Sequence, residues 1–213
     1  MEILRQIARS LEAGEDANVP HLTRMALAEG VDAKTVLDDG LIAGMNAVGE
    51  KFRVHDIFLP DVLLAARAMY AGMEVLKPLL VRAGVSSRGR VVIGSVQGDL
   101  HDIGKNLVGI MLKGAGFEVI DLGNDVAAEK FVETAKSQDA RVIGMSALLT
   151  TTMPVMKEVV DLLKKRDPDG RIKTIIGGAP VSHDYAVEIG ADAYGYDCAQ
   201  AVESVKKLAA AGA

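Results

Sequence analysis

The sequence has few of the features that mark secreted, membrane-spanning or nucleic-acid-binding proteins. It contains one cysteine, Cys198, so no disulfide can form within the chain. The longest apolar stretches are broken by charge well before the roughly 20 residues that a membrane span needs. The formal net charge of −5 excludes a basic nucleic-acid footprint over the whole chain. Because the first residues have the pattern of an amphipathic helix rather than of a signal peptide, we expect a cytoplasmic protein with neither membrane nor nucleic acid as a partner.

The composition is that of a folded protein with a sizeable core. Apolar residues make up 49% of the chain and charged residues 25%. These fractions exclude a disordered or fibrous chain. The 213 residues allow one large domain or two small ones.

The first part of the chain has a helical pattern throughout. Proline suits the first turn of a helix, so helices are predicted to begin near Pro20 and Pro60, and Asp32 is placed to cap the helix between them. The segment from Glu2 to Leu11 makes a fourth helix. Four helices joined by short loops predict an antiparallel bundle that forms a cap domain over residues 1–85.

A small, polar run at residues 83–89 separates this helical domain from a second domain, 86–213, where the pattern changes. Short apolar runs there alternate with helical stretches. Such β-α units predict an α/β fold with a Rossmann-like (flavodoxin-like) five-stranded parallel sheet and helices on both faces. The predicted strands are Val91–Val96, Glu118–Leu122, Val142–Ala147, Thr174–Ile176 and Ala191–Tyr194.

The segment after the first predicted strand places two carboxylates beside an imidazole. Ligands of such sheets bind beyond the carboxyl ends of the strands, near the point where the strand order reverses. A histidine that ligates a metal usually donates its other ring N–H to a carboxylate, and Asp99 could be that partner of His101. Gly98 and Gly104 would let the backbone approach a bulky ligand. The alternative is an ordinary strand-to-helix loop in which Asp102 caps the helix and the histidine is solvated.

Three segments together resemble one protein family. Residues 98–106, Gly-Asp-Leu-His-Asp-Ile-Gly-Lys-Asn, resemble the Asp-x-His-x-x-Gly signature of corrinoid-binding methyl-transfer proteins, including the cobalamin module of methionine synthase. Ser146 and the residues after it match the family's loop after the third strand, and Gly177-Gly178 matches its Gly-Gly after the fourth. Residues 44–52 and the Phe-Leu-Pro at 58–60 look like the helical cap that precedes the cobalamin domain. The resemblance covers nearly the whole chain, in order.

The resemblance implies a set of ligand-binding roles. In this family a histidine replaces the cofactor's own lower base on cobalt, so His101 is expected as the metal ligand, Asp99 as its hydrogen-bond partner and Thr152 as the third member of the triad. Phe58 is expected to shield the upper cobalt face. The other residues that the resemblance places at the cofactor, its buried lower base or its nucleotide tail are Gly98, Asp102, Ile103, Gly104, Ser146, Leu148, Thr150, Gly177 and Gly178.

The resemblance also implies an activity, the carriage of methyl groups on cobalamin or a related corrinoid whose cobalt cycles between Co(I) and methyl-Co(III). Because the chain carries no donor site of its own, it is expected to shuttle methyl groups from a substrate-specific methyltransferase to a second methyltransferase that uses tetrahydrofolate or a thiol. A reductive activase is a further expected partner. Movement of the cap is expected to use a hinge at Gly84 and Gly89.

Other functions remain open at this point. A cobalamin-dependent sensor that acts through a partner protein is the main alternative, and an adenosylcobalamin mutase subunit shares the histidine motif. A flavodoxin-like or receiver-like domain would use Asp99 or Asp102 for another purpose. The chain departs from the family at residues 53–57, where His55 is expected to be a solvated loop histidine rather than an upper ligand.

Overall fold

The computed structural model describes residues 1–83 and 87–211. The expected hinge residue Gly84 and the predicted domain boundary between residues 85 and 86 lie outside the described residues. The chain divides into two compact units, one of Met1–Ser87 with Gly114–Gly116 and one of Arg88–Lys113 with Phe117–Ala213.

The first unit is helical throughout its described residues. Its elements are α1 (Glu2–Glu12), α2 (Asn18–Ala28), α3 (Ala33–Thr35), a π-helical segment (Val36–Ile42), α4 (Ala43–Arg53) and α5 (Leu59–Arg82). The stretch from α3 through α4 is continuous, so residues 1–83 contain four helical segments, as the sequence predicts.

Local chemistry explains where these helices begin. The Asp32 side chain accepts a hydrogen bond from the Thr35 N–H at 2.9 Å and caps α3, which confirms the prediction for this residue. Pro60 lies in the first turn of α5, where a missing N–H costs nothing. The large side chains that the helices bury completely include Ile7, Leu11, Val19, Val36, Leu41, Met69 and Leu76.

The second unit alternates strands and helices. Its elements are β1 (Arg90–Ser95), α6 (Ile103–Gly114), β2 (Glu118–Asp121), α7 (Ala128–Ser137), β3 (Val142–Ser146), α8 (Pro154–Arg166), β4 (Lys173–Gly177), α9 (His183–Ile189), β5 (Ala193–Gly195) and α10 (Cys198–Ala211). The strands pair in parallel in the order β2-β1-β3-β4-β5. This is the order of flavodoxin-like sheets, which confirms the predicted doubly wound parallel fold, and the strand order reverses between β1 and β3.

Helices cover both faces of the sheet. On one face, buried side chains of α7, α8 and α9 form a core with the strands, and Phe131 of α7 lies against the backbone of Gly94. Ile93 points to the opposite face, where it meets α6 at Gly109. None of the helices in the described part of the chain is long and apolar enough to span a membrane.

The strand boundaries agree with the prediction to within one residue except at β5. The sequence predicts this strand from Ala191, but it begins at Ala193. The reason is the end of α9, where Gly190 adopts a left-handed conformation (φ 73°) and the Ala191 N–H donates to the Ala186 carbonyl at 2.9 Å. Ala191 therefore belongs to the cap of the preceding helix.

Candidate functional site

The candidate site lies at the carboxyl edge of the sheet, where the loops that follow β1, β2 and β3 meet. We call residues 96–102 the β1 loop, residues 122–127 the β2 loop and residues 147–153 the β3 loop. β1 pairs with both β2 and β3, so its loop lies between the other two. Since the strand order reverses beside β1, this is the edge at which doubly wound sheets bind ligands.

Asp99 of the β1 loop is completely buried and joins this loop to the β3 loop. Its Oδ1 accepts hydrogen bonds from the His101 backbone N–H at 3.0 Å and from His101 Nδ1 at 2.8 Å. Its Oδ2 accepts from the Leu148 N–H at 2.6 Å and from Thr152 Oγ1 at 3.1 Å. The structure thus brings together Asp99, His101 and Thr152, which lie up to 53 residues apart in the chain.

These hydrogen bonds keep the Asp99 carboxylate charged. Burial by itself raises the pKa of the carboxyl, but the donors from Leu148, His101 and Thr152 outweigh burial and lower the pKa to about 2. The carboxylate is therefore an acceptor at every physiological pH. A permanent acceptor at Nδ1 places the proton of a neutral imidazole on Nδ1, which leaves the lone pair on Nε2.

The His101 ring combines a fixed side with a solvent-facing side. Nδ1 of the ring is held by Asp99. The backbone carbonyl of His101 accepts a 2.6 Å hydrogen bond from the hydroxyl of the fully buried Ser95. The side chain as a whole is 54% exposed. The ring therefore presents Nε2 outward from a backbone that is held in place, which is the arrangement of a metal-ligating histidine.

Thr152 has two acceptors within reach of a single hydroxyl hydrogen. Its Oγ1 lies 3.1 Å from Asp99 Oδ2 and 2.9 Å from the Leu149 carbonyl oxygen. The hydroxyl can donate to one of them at a time, so it can strengthen or release its bond to Asp99 by rotation.

Exposed aliphatic side chains occur on the same loops and helix start as the histidine and its supporting residues. Leu100 and Ile103 are 70% and 73% exposed, and Leu148 and Leu149 are each 42% exposed. These four residues belong to the β1 loop, the first turn of α6 and the β3 loop. Exposed aliphatic residues clustered at a functional edge are typical of a surface that a ligand or partner covers.

The glycines that sequence analysis places at the site differ in what surrounds them. A Cβ on Gly178 would lie 1.9 Å from the Ala147 carbonyl oxygen, and one on Gly177 would lie 2.9 Å from the Gly195 carbonyl oxygen. The chain's own backbone therefore explains both glycines, and their predicted contact with a nucleotide tail stays a prediction. In contrast, a Cβ on Gly104 would meet nothing within 4 Å, so the chain itself does not require glycine there.

The remaining predicted residues lie at the same edge, apart from one. Gly98 has a left-handed backbone (φ 83°), Asp102 and Ser146 are half-buried, and Thr150 is exposed. Phe58 belongs to the helical unit, where it is 67% exposed and donates its backbone N–H to Asp61 at 2.9 Å. The binding roles assigned to these residues stay predictions.

Sequence reasoning missed the residues that support the β1 loop from the β2 side. Asp125 accepts a hydrogen bond from the Gly98 N–H at 2.7 Å, and Asn124 donates to the Leu100 carbonyl at 3.2 Å. Lys105 is buried, and its Nζ lies 2.7 Å from both carboxylate oxygens of Asp121. Only their position marks Asp121, Asn124 and Asp125, which lie at or beyond the carboxyl end of β2, the strand that pairs with β1.

The rest of the described chain offers no competing metal centre. Within residues 1–83 and 87–211, no group of three or more His, Cys, Asp or Glu side chains could hold a metal ion. His55 is exposed, as predicted. Cys198 is buried at the start of α10, and burial raises the pKa of its thiol to about 11.

Comparisons with known proteins show the family of the chain. Two family models described as "B12 binding domain" match the chain, one at residues 89–203 and one at residues 3–77. Dimethylamine corrinoid protein 1 of Methanosarcina acetivorans is 43% identical over 210 residues, which cover 98% of each chain. Trimethylamine corrinoid protein 1 of Methanosarcina mazei is 43% identical over 207 residues, or 96% of each chain.

Solved structures share the complete architecture. The methanol:cobalamin methyltransferase complex MtaBC from Methanosarcina barkeri contains a chain that matches with a TM-score of 0.86 and 33% identity, over 98% of this chain and 80% of that one. A cobalamin-binding protein from Desulfitobacterium hafniense matches with a TM-score of 0.81 and 31% identity, over 96% of this chain and 98% of that one.

Proposed function

The chain belongs to the B12-binding corrinoid proteins, and we propose that it carries a methyl group between two methyltransferases on a corrinoid held through His101. The observation that carries this proposal is the Asp99–His101 pair, with 2.8 Å between Oδ1 and Nδ1, at the carboxyl edge of the sheet. The corrinoid cofactor itself follows from the family.

The residues present fit a corrinoid. Nε2 of His101 is the donor atom, and the exposed side chains of Leu100, Ile103, Leu148 and Leu149 offer apolar surface to the cofactor. Gly104 has open space beside it, which leaves room for a bulky ligand over the start of α6. When bound, the corrinoid supplies the cobalt centre that accepts and releases the methyl group.

The polypeptide controls the basicity and orientation of the ligand. Asp99 holds the proton on Nδ1 and thereby directs the Nε2 lone pair outward, and its negative charge makes the imidazole a stronger donor. Because the pKa of Asp99 is lowered to about 2, this effect persists throughout the physiological pH range.

The same network can store a proton. A ligating imidazole must be neutral, so Nε2 of His101 can hold either a metal or a proton, while Asp99 keeps the proton on Nδ1. Thr152 can turn its hydroxyl toward Asp99 Oδ2 at 3.1 Å as the charge of the imidazole changes. Binding of the histidine and its protonation are therefore linked in this proposal.

The partners in this proposal are a substrate-specific methyltransferase, a second methyltransferase that uses tetrahydrofolate or a thiol, and a reductive activase. The names of the relatives support the first of these, because they specify dimethylamine, trimethylamine and a methanol:cobalamin methyltransferase complex. A cytoplasmic location is part of the same proposal.

The test is the visible absorption spectrum of the protein loaded with methylcobalamin. We expect the wild-type protein to show imidazole bound in place of the cofactor's own base, and His101→Ala to show neither ligand. His183→Ala is the matched control, because His183 is also an exposed histidine of the same unit but lies at the start of α9. A wild-type spectrum equal to that of free methylcobalamin, or loss of the imidazole signature in His183→Ala, would contradict the role of His101.

A second experiment tests carriage itself against the alternative of a cobalamin-dependent sensor. The reduced, corrinoid-loaded protein should accept a methyl group from a methylated donor only when a substrate-specific methyltransferase is added. Failure with methyltransferases for methylamines and for methanol, combined with a change of assembly on binding cobalamin, would favour the sensor.

A further inference from the structure

The β2 loop forms hydrogen bonds with the backbone of three consecutive residues of the β1 loop. Oδ1 of Asp125 accepts a hydrogen bond from the Gly98 N–H at 2.7 Å, and the Asp125 N–H donates to the Asp99 carbonyl at 3.0 Å. Nδ2 of Asn124 donates to the Leu100 carbonyl at 3.2 Å. The backbone that immediately precedes His101 is therefore fixed by two residues that lie about 25 positions further along the chain.

Asp125 makes these bonds from a strained backbone conformation. Its φ is 54°, a left-handed value that side chains other than glycine rarely adopt. The neighbouring backbone keeps it there, because the Gly123 carbonyl accepts from the Ser95 N–H at 3.0 Å and the Val126 N–H donates to the Ser95 carbonyl at 3.0 Å. Strained residues that the surrounding structure fixes in this way occur often at functional sites.

Two carboxylates therefore act on the histidine in different ways. Asp99 contacts the imidazole ring directly, whereas the hydrogen bonds of Asp125 go to the backbone of residues 98 and 99. We propose that Asp125 is a positioning residue for His101, which keeps the β1 loop in the conformation that directs Nε2 toward the cofactor. This inference rests on the proposed function, because it assigns Asp125 to the support of that same histidine ligand.

The chain offers a closely matched control for this proposal. Asp139, in the turn after α7, is also an aspartate with a left-handed backbone (φ 50°) and an exposed side chain. It lies before β3, at the opposite edge of the sheet from His101. Asp125→Gly and Asp139→Gly therefore relieve the same kind of backbone strain, but only the first removes an acceptor from the β1 loop.

The experiment measures the ratio of imidazole-bound to imidazole-free cofactor in the methylcobalamin-loaded protein, at a pH where the wild type shows both forms. Asp125→Gly should lower this ratio about tenfold or more, the effect typical of losing a group that supports a metal ligand. Asp125→Asn should keep most of the wild-type ratio, because an amide oxygen can still accept from Gly98 and asparagine tolerates a left-handed backbone. Asp139→Gly should leave the ratio unchanged.

Amide hydrogen exchange of the ligand-free protein gives a second readout that does not depend on the cofactor. Asp125→Gly should speed exchange at Gly98 and His101, while exchange in the central strands stays as in the wild type. If this variant does not fold, Asn124→Ala replaces it, since it removes only the bond to the Leu100 carbonyl and should lower the ratio to a smaller extent.

The outcomes separate the two proposals. A wild-type protein without the imidazole signature overturns the proposed function. A wild type that shows the signature, with Asp125→Gly unchanged or lowered no more than Asp139→Gly, overturns the positioning role and leaves the function intact. An Asn124→Ala ratio equal to that of the wild type also counts against positioning by the β2 loop.

Discussion

The two edges of the same sheet contain similar hydrogen-bonding groups in different surroundings. At the carboxyl edge, Asp99 accepts hydrogen bonds from a backbone N–H at Leu148 and from the hydroxyl of Thr152. At the amino edge, Asp192 accepts from the backbone N–H and the hydroxyl of Thr174, at 2.8 and 3.0 Å. Asp99 is completely buried, whereas the Asp192 side chain is 33% exposed and lies 3.5 Å from Lys173 Nζ.

This difference shows that burial, together with the two further hydrogen bonds that Asp99 accepts from His101, distinguishes the candidate site. Water can replace the partners of a partly exposed carboxylate, so such bonds contribute little to stability or to reactivity. Water cannot reach a buried carboxylate, so the loss of any one of its hydrogen-bond donors lowers the stability of the folded protein. The loops at the carboxyl edge therefore depend on the hydrogen bonds of Asp99, while the hydrogen bonds of Asp192 at the amino edge compete with water.

The largest loss of stability that this comparison predicts is at Gly178, one of two glycines that lie before and after β4. Gly178, at the carboxyl edge, has a φ of 126° and the Ala147 carbonyl oxygen 1.9 Å from the position of a Cβ. We expect Gly178→Ala to lower the free energy of unfolding by more than about 4 kcal/mol, because the backbone of two loops must move.

Gly170, at the amino edge, is the control for this substitution. Its φ is 64°, but the nearest atom to a Cβ there is the flexible Lys173 Nζ at 3.9 Å. Gly170→Ala should therefore cost only about 1 to 2 kcal/mol for the left-handed backbone. Urea unfolding of both variants measures the difference, and equal losses would show that the carboxyl edge is packed no more tightly than the amino edge.

The next largest effect concerns the charge of Asp99. Its folded-state pKa of about 2 lies below its ordinary value of 3.8, so the charged form favours the folded state. This contribution is complete above about pH 4, is lost as the pH falls through about 2, and amounts to about 2 kcal/mol at neutral pH. Asp99→Asn should therefore be less stable by about this amount at pH 7, with the difference from wild type shrinking toward pH 2.

Asp192→Asn is the counterpart at the amino edge. Because its side chain is partly exposed, we expect a loss of no more than about 1 kcal/mol at pH 7. Urea unfolding curves collected from pH 7 to pH 2 on the ligand-free protein give both values. An Asp99→Asn variant whose difference from wild type is independent of pH would refute the contribution of this charge.

The smallest effect on stability is expected at Gly104. In the first turn of α6 an alanine finds open space, so Gly104→Ala should stabilise the ligand-free protein by up to about 1 kcal/mol. The same methyl group should obstruct the corrinoid and weaken its binding by about tenfold or more. Absorbance titration with methylcobalamin measures this, and unchanged affinity would mean that the cofactor does not approach α6 here.

The sequence predicts the fold well because periodicity reports which side chains are buried. It predicts the four helical segments, the five strands and the parallel, doubly wound pairing of those strands into a sheet, and its resemblance to corrinoid proteins selects the residues that meet at the carboxyl edge. Periodicity does not report changes of hydrogen-bond register. The π-helical segment Val36–Ile42 keeps the apolar spacing of an α-helix, and Pro78 lies within α5 although proline usually ends helices.

The supporting residues of the site could not be found in the same way. The side chain of Asp125 acts through a hydrogen bond from the Gly98 N–H, which any residue except proline could donate, so no spacing or residue pair marks it. Likewise, the sequence shows Gly104 and Gly178 as equals, whereas one borders open space and the other meets a carbonyl. Such distinctions depend on distances between loops that are far apart in the chain.

The low reactivity expected of Cys198 is useful for labelling the protein at other positions. Its thiol is buried and stays protonated at neutral pH, so reagents that attack thiolates will modify it slowly. A cysteine introduced at an exposed position would then be the one fast-reacting thiol on the protein, suitable for a fluorescent or spin label. For a protein that we propose to handle activated methyl groups, burial of this thiol also removes one route to self-alkylation.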